Sequence, residues 1–176
     1  MKELSLNVLD IAQNSVRAGA KSIWIELFES GGQLSLEIRD DGCGMESGLL
    51  ESVTDPFVTT RDTRSIGLGI PLLKLAAEMA DGGLEIRSAP GEGTVLRAWY
   101  DPGHIDAQPV GDMAMTMYSL VQGNPDIDFV YRRRKGEALF ELDCASLREE
   151  LGENIALSEP EVLNWIYEYI EENSPK

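Results

Sequence analysis

Two polar side chains near the start of the chain are spaced so that they could handle a charged ligand. Asp10 and Asn14 are four residues apart, so on a helix they share one face. The amide oxygen of Asn14 could bind Mg²⁺, and Asp10 could orient or deprotonate an attacking water. The same pair would also suit a solvated helix face, and the spacing taken alone favours that ordinary interpretation.

A further carboxylate, Asp40, ends a stretch of alternating residues that predicts a strand. Leu34, Leu36 and Ile38 occupy even positions, so the alternation places Asp40 on the same inward face. A carboxylate there needs hydrogen-bond donors, because burying it unpaired costs several kcal/mol. The exocyclic amine of adenine is one such donor. The alternative is that Asp40 only caps the following turn.

Glycines next to these positions would let the backbone approach a ligand closely. Gly42 and Gly44 follow Asp40 directly, where a flat ring could pass without obstruction by side chains. Gly67, Leu68 and Gly69 open a predicted helix, whose free N–H groups suit phosphate oxygens. Glycine-rich turns and plain helix starts have the same composition, so each segment alone is weak evidence.

Hydrophobic periodicity predicts the elements that would position these side chains. Apolar residues recur at helical spacing over residues 4–17 and 70–79, and they alternate in the predicted strands. Residues 46–66 lack a sustained period, which predicts a loop with one short helical turn. The predicted strands of this first part cover residues 23–27, 34–38, 84–88 and 94–100.

Residues 101–103, Asp-Pro-Gly, predict a boundary. They divide the chain into a module over residues 1–100 and a small α+β extension over residues 101–176. The extension is predicted to hold a helix over 111–121, a hairpin from 127–131 and 138–142, and helices over 145–151 and 159–172. The basic run 132–135 is placed at the hairpin tip, as a solvated turn or as a docking point for an acidic partner.

Composition and charge restrict the classes of function. The chain has 176 residues, 43% of them hydrophobic, which is ordinary for a packed protein. Its formal net charge of -16 argues against nonspecific binding to nucleic acid or to an anionic membrane. We find no apolar run of bilayer length and no signal peptide, so a cytoplasmic protein is expected.

The ordered set of motifs resembles the GHKL superfamily of ATPases, which includes gyrase, heat-shock chaperone, histidine kinase and MutL proteins. Residues 9–20 (LDIAQNSVRAGA) resemble the N-box, and 38–45 (IRDDGCGM) resemble the adenine-contacting glycine box. Residues 55–61 (DPFVTTR) are similar to the phenylalanine box of histidine kinases, and 67–70 (GLGI) to the second glycine box. Residues 91–94 (GEGT) match the family's final turn, whose threonine often lies near the adenine-binding aspartate.

This resemblance implies a Bergerat fold, which is a two-layer α/β sandwich whose mixed sheet is covered on one face by helices. It also implies ATP and Mg²⁺ as ligands, with Asn14 binding the metal and Asp10 as the candidate base. The residues it assigns to nucleotide binding are Asn14, Arg17, Asp40, Gly42, Gly44, Met45, Phe57, Thr59, Thr60, Gly67, Leu68, Gly69 and Thr94.

Two departures from the family limit what the resemblance implies about the reaction. The MutL and gyrase branch has glutamate where this chain has Asp10, so hydrolysis is expected to be slow or absent. Only nine residues precede Asp10, so the phospho-acceptor hairpin of histidine kinases is not expected before it.

The function predicted from the sequence is therefore an ATP·Mg²⁺-binding protein that acts on, or is regulated by, a partner protein. It could transfer phosphate as a stand-alone kinase that resembles the anti-sigma-factor kinases. The alternatives are a slow ATPase that switches conformation and dimerises, and a nonenzymatic interaction protein on the same fold.

Overall fold

The computed structural model describes residues 3–54 and 68–176. Its elements follow the order expected from the sequence, and most of their ends lie within a few residues of the predicted ones. In chain order they are α1 Leu4–Arg17, β1 Ser22–Ser30, β2 Gln33–Asp40, α2 Ser47–Ser52, α3 Gly69–Met79, β3 Gly83–Ala89, β4 Gly93–Tyr100, α4 Met113–Gly123, β5 Asp128–Lys135, β6 Ala138–Asp143, α5 Cys144–Leu151 and α6 Pro160–Asn173.

The six strands form one mixed sheet in the order β3-β4-β2-β1-β5-β6. Strands β1 and β5 pair in parallel, and the other neighbours are antiparallel. The predicted α+β fold with a mixed sheet is thus confirmed. The hairpin β5–β6 lies beside β1, so the sheet continues past residue 101. The division into a module and an extension stays a prediction.

The core forms because the strands alternate and α1 is amphipathic. Inward residues of β1, such as Ile23 and Ile25, are fully buried, as are Leu4 and Val8 of α1. Packing an apolar helix stripe on the inward sheet face removes both surfaces from water. This packing fixes α1 above the end of β2, where Asp40 lies.

The segment after residue 101 is held directly to α1. The N–H groups of Leu4 and Ser5 donate to the carbonyls of Pro109 at 3.0 Å and Val110 at 2.8 Å. The hydroxyl of Thr116 on α4 donates to the carbonyl of Ser5 at 3.2 Å. The first turn of α1 therefore has partners for backbone groups that a helix leaves unpaired.

The basic run at residues 132–135 does not form the hairpin tip, and that prediction is wrong. It belongs to β5, where Arg132 lies opposite Glu26 on one side and Glu141 on the other. Arg132 makes ion pairs with both glutamates. Opposite charges that face each other across strands stabilise pairing, which is why four basic residues can continue a strand here.

No helix within residues 3–54 and 68–176 combines the length and the apolar character that crossing a bilayer requires.

Candidate functional site

A cavity of about 250 Å³ lies between α1, the ends of β2 and β4, and the segment that follows β2. Most of its described walls are apolar, as is usual for a small-molecule site with a few placed polar groups. Residues predicted to bind nucleotide that line it are Asn14, Arg17, Asp40, Gly44, Met45 and Thr94. Its apolar walls are formed by Ile11, Ile38, Leu49, Val53, Ile70 and Leu96.

Asp40 is buried in the cavity wall, as the alternation of β2 predicted. Its side chain accepts two hydrogen bonds, from the Ser15 hydroxyl at 2.6 Å and the Gly42 N–H at 2.9 Å. The two bonds reach different carboxylate oxygens. An ionised carboxylate offers about four lone-pair sites, so Asp40 can accept from a further donor in the cavity.

Asn14 lines the same cavity and has an unusual environment. Its amide nitrogen and amide oxygen are both buried, and no described residue gives either atom a hydrogen-bond partner. Buried polar atoms without partners are rare, and each costs about 1–3 kcal/mol. Asn14 therefore keeps an unused donor and an unused acceptor among the described residues.

The amide oxygen of Asn14 fits one ligand position of Mg²⁺. No group of three or more His, Cys, Asp or Glu side chains in the described parts of the chain could hold a metal ion. An ion here would consequently depend on ligand phosphates and water for its other contacts, which is the usual way that Mg²⁺ is bound.

Asp10 does not line the cavity, although it shares a helix face with Asn14. Its carboxylate accepts the N–H of Gly69 at 3.0 Å, at the start of α3. The amide of Asn7 donates to the Gly69 carbonyl at 3.2 Å. A Cβ at Gly69 would lie 2.2 Å from the Asp10 oxygen, so any other residue there would displace the Asp10 carboxylate. Asp10 thus caps α3, in the place where a phosphate was predicted.

The glycines after Asp40 have structural causes besides ligand approach, as the plain-turn alternative from the sequence indicated. Gly44 has φ of +70°, and a Cβ there would lie 1.9 Å from the Ala89 carbonyl oxygen. A Cβ at Gly42 would meet Ala18 and Asp40 at 3.0 Å. Close packing against the β3–β4 turn and α1 thus accounts for both glycines independently of a ligand.

Two serines that were not predicted as site residues organise the cavity. Ser15 holds Asp40, as described above. The hydroxyl of Ser88 accepts the Met45 N–H at 2.9 Å, donates to the Gly93 carbonyl at 2.8 Å and lies 2.9 Å from the Thr94 hydroxyl. Ser88 occupies the same face of β3 as Leu84 and Ile86, and this alternation is the feature of the sequence that could have indicated its inward position.

Thr94 and Leu68 are the other described residues predicted to bind nucleotide. Thr94 lies opposite Asp40 in the β2–β4 register. Leu68 precedes α3 and is 59% exposed. The predicted residues Phe57, Thr59, Thr60 and Gly67 lie outside the described residues.

The structure is thus an α+β domain with one mixed sheet and a mostly apolar cavity beside α1. A family model described as "Histidine kinase-, DNA gyrase B-, and HSP90-like ATPase" matches residues 2–104. The chain belongs to this family of ATPases, as its motifs predicted, and ATP binding is the property that the family implies.

Curated relatives match between 54% and 60% of the chain. The autoinducer 2 sensor kinase/phosphatase LuxQ of Vibrio parahaemolyticus is 32% identical over an alignment of 105 positions that covers 54% of this chain and 12% of LuxQ. The cell-division control histidine kinase PdhS of Brucella anthropi is 30% identical over 118 residues, covering 60% of this chain and 11% of PdhS. The chain thus spans about a tenth of the length of these relatives.

A solved structure supports the fold over a longer stretch. The N-terminal domain of a DNA repair protein superposes with a TM-score of 0.54 at 15% identity, covering 81% of this chain and 53% of that chain. The shared architecture confirms the predicted Bergerat-type fold.

Proposed function

We propose that this chain binds ATP with Mg²⁺ in the cavity beside Asp40 and directs phosphoryl chemistry at a partner protein. The observation that carries this proposal is that a buried carboxylate and a buried amide without a partner among the described residues lie at one cavity. The carboxylate suits the amine of adenine, and the amide suits a hydrated cation beside phosphates.

Each described residue has a defined part in the proposed complex. Asp40 accepts the adenine amine, while Ser15 and the Gly42 N–H hold its carboxylate in place. Asn14 is the protein ligand of Mg²⁺, which neutralises phosphate charge and orients the triphosphate. The start of α3 presents backbone N–H groups to the phosphates. The Gly69 N–H becomes available to them when its hydrogen bond to the Asp10 carboxylate breaks.

Phosphoryl transfer to a protein is favoured by the similarity to PdhS, which is named a histidine kinase, and to LuxQ, which is named a sensor kinase/phosphatase. Such transfer needs mainly positioning and charge neutralisation, so a small module can support it. The net charge of -16 favours a partner that presents a basic surface. We place this activity in the cytoplasm, and homodimerisation is a further part of the proposal that sedimentation would test.

Slow hydrolysis is the second candidate, because Asp10 lies at the start of α3. Replacing Asp10 with asparagine should preserve ATP binding, since the new amide oxygen still accepts the Gly69 N–H. If Asp10 is the base, hydrolysis should fall by about 100-fold or more. Phosphate release and calorimetry on the same preparation measure the two effects.

The exposed Asp106 provides a control for the Asp10 variant. Asp106→Asn should leave both hydrolysis and binding at the wild-type level. Undiminished hydrolysis in Asp10→Asn would end the catalytic assignment of Asp10, and it would leave the binding proposal standing.

A cysteine in the cavity gives a direct test of nucleotide binding. Cys43 lines the cavity and is exposed, whereas Cys144 is buried. Burial raises the pKa of the Cys144 thiol to about 12, so Cys144 is a thiol rather than a thiolate at pH 8. Alkylation at pH 8 therefore reports on Cys43, and ATP with Mg²⁺ should slow it severalfold.

The control ligand in this experiment is CTP, which has the same triphosphate but a different base. It should protect Cys43 less than ATP does at equal concentration. Equal alkylation rates with and without ATP in the folded protein would contradict occupancy of this cavity. They would favour the third alternative, an interaction protein that keeps the fold without the nucleotide.

A further inference from the structure

We propose that a second cavity, formed largely by the segment after residue 101, binds a small organic anion through Arg133. This cavity has a volume of about 230 Å³ and lies between β5, the start of α4 and the end of α6. Its lining includes Val110, Met113, Tyr131, Arg133, Ile170 and Ser174. This proposal does not depend on ATP binding, because it concerns different residues.

Arg133 is a buried cation with unused hydrogen-bonding capacity. The residue is 3% exposed and belongs to the inward face of β5. Its Nη2 donates to Glu29 at 2.8 Å, and its Nε reaches the Pro175 carbonyl only at 3.5 Å. Its Nη1 is buried and meets no hydrogen-bond acceptor from residues 3–54 or 68–176. A guanidinium remains charged under all ordinary conditions, so this nitrogen presents donors that call for an acceptor.

The ion pairs at this cavity leave one positive charge in excess, because the Glu171 carboxylate in its lining is paired with Lys176 at 2.9 Å and Glu29 has two cationic partners. Glu29 is shared, because Lys135 also contacts it, at 3.1 Å. Burial raises the pKa of Glu29, but hydrogen bonds and charges from Lys135 and Arg133 outweigh that effect and lower the pKa overall. Glu29 is therefore an anion facing two cations. A bound anion would balance the remaining positive charge of these side chains, even though the protein as a whole is acidic.

The walls of the cavity indicate the kind of anion. Val110, Met113 and Ile170 are apolar, and the volume exceeds that needed by a single water, whose share of the liquid is about 30 Å³. The planar guanidinium suits a carboxylate or a phosphate ester. A short aliphatic body would contact the apolar walls. The ligand class is thus a small organic carboxylate or phosphate monoester.

Tyr131 adds a second polar group to the wall. Burial raises the pKa of its phenol, while its hydrogen bond with Ser174 and the charge of Arg133 act in the opposite direction. A phenol is already protonated at neutral pH, and burial reinforces this by raising its pKa, so Tyr131 can donate a hydrogen bond.

Titration of the full chain with butyrate, butyl phosphate and inorganic phosphate tests this site, with binding followed by calorimetry. We expect saturable binding of at least one organic probe, and the stronger of the two identifies the head group. Arg133→Gln should weaken it by about tenfold to 100-fold. Arg134→Gln is the matched control, because Arg134 is exposed on the same strand and should leave binding unchanged.

A second variant keeps the test decisive if Arg133→Gln does not fold. Val110→Phe places a larger apolar side chain in the cavity wall and should also reduce binding in a folded protein. The proposal is overturned if the wild type binds neither organic probe, which would mean that a buried water satisfies Arg133. It is also overturned if inorganic phosphate alone binds, or if a folded Arg133→Gln or Val110→Phe variant binds as tightly as the wild type.

Discussion

Replacing Asp40 with asparagine should weaken ATP binding by about 30-fold to 1,000-fold. The carboxylate holds two donors and has acceptor sites left for the adenine amine. An asparagine amide nitrogen would place a donor against that amine or against the Ser15 hydroxyl. Because a serine hydroxyl can accept as well as donate, the variant should still fold. Calorimetric titration of the folded variant with ATP and Mg²⁺ measures the loss.

Asp41 provides a closely matched control for this experiment. Its carboxylate accepts the N–H groups of Lys21 at 2.7 Å and Ser22 at 2.9 Å, and it is absent from the cavity lining. An asparagine oxygen can accept the same two bonds. Asp41→Asn should bind ATP within about twofold of the wild type, since it removes charge without changing a predicted adenine contact. Equal affinity of the Asp40 and Asp41 variants would refute the adenine assignment.

Replacing Asn14 with alanine should have opposite effects on affinity and stability. The change removes the proposed Mg²⁺ ligand, so affinity for ATP in the presence of Mg²⁺ should fall by about tenfold to 100-fold. It also removes two buried atoms that have no hydrogen-bond partner among residues 3–54 and 68–176. The free energy of unfolding without nucleotide should therefore rise by about 1 kcal/mol. Calorimetry and thermal unfolding measure the two quantities.

A rise of that size corresponds to a midpoint about 2–4 °C higher for a chain of this length. Gln13→Ala is the control, because Gln13 is exposed on the same helix and should change neither quantity much. A lower midpoint for Asn14→Ala would show that Asn14 is a structural residue. An unchanged affinity for ATP with Mg²⁺ would remove it from the metal site.

The strand that contains Asp40 could be predicted because the alternation of apolar and polar residues was enough to identify it. Alternation of Leu34, Leu36 and Ile38 fixes which face is inward, and a slip of one residue would expose all of them. Helix α1 was predictable for a similar reason, since its apolar stripe has the helical period. Local sequence patterns were thus sufficient to predict strand β2, helix α1 and the inward direction of Asp40.

The separation of Asp10 from Asn14 could not be predicted, because it depends on where α3 packs. Both residues share one face of α1, yet only Asn14 lines the cavity, and Asp10 is held by the Gly69 N–H. The Ser88 contacts likewise join segments that are distant in sequence. A single hydroxyl has no periodic signal, so its role appears only when the strands are paired.

The basic run in β5 could not be interpreted correctly from the sequence either, because its contacts also come from distant segments. Four successive cations are typical of a solvated turn when they are considered alone. The acidic partners of three of these cations are Glu26 and Glu29 of β1 and Glu141 of β6, which only the sheet order brings close. The buried position of Arg133, on which the anion proposal depends, follows from that order.

The central claim is that this chain binds ATP through Mg²⁺ in the cavity beside Asp40. Calorimetric titration of the wild-type protein with ATP, with and without Mg²⁺, tests it most directly. We predict saturable binding with one nucleotide per chain, strengthened by Mg²⁺ through Asn14 and the phosphates. Absence of binding by the folded protein under both conditions would contradict the claim, and the kinase and ATPase proposals would fall with it.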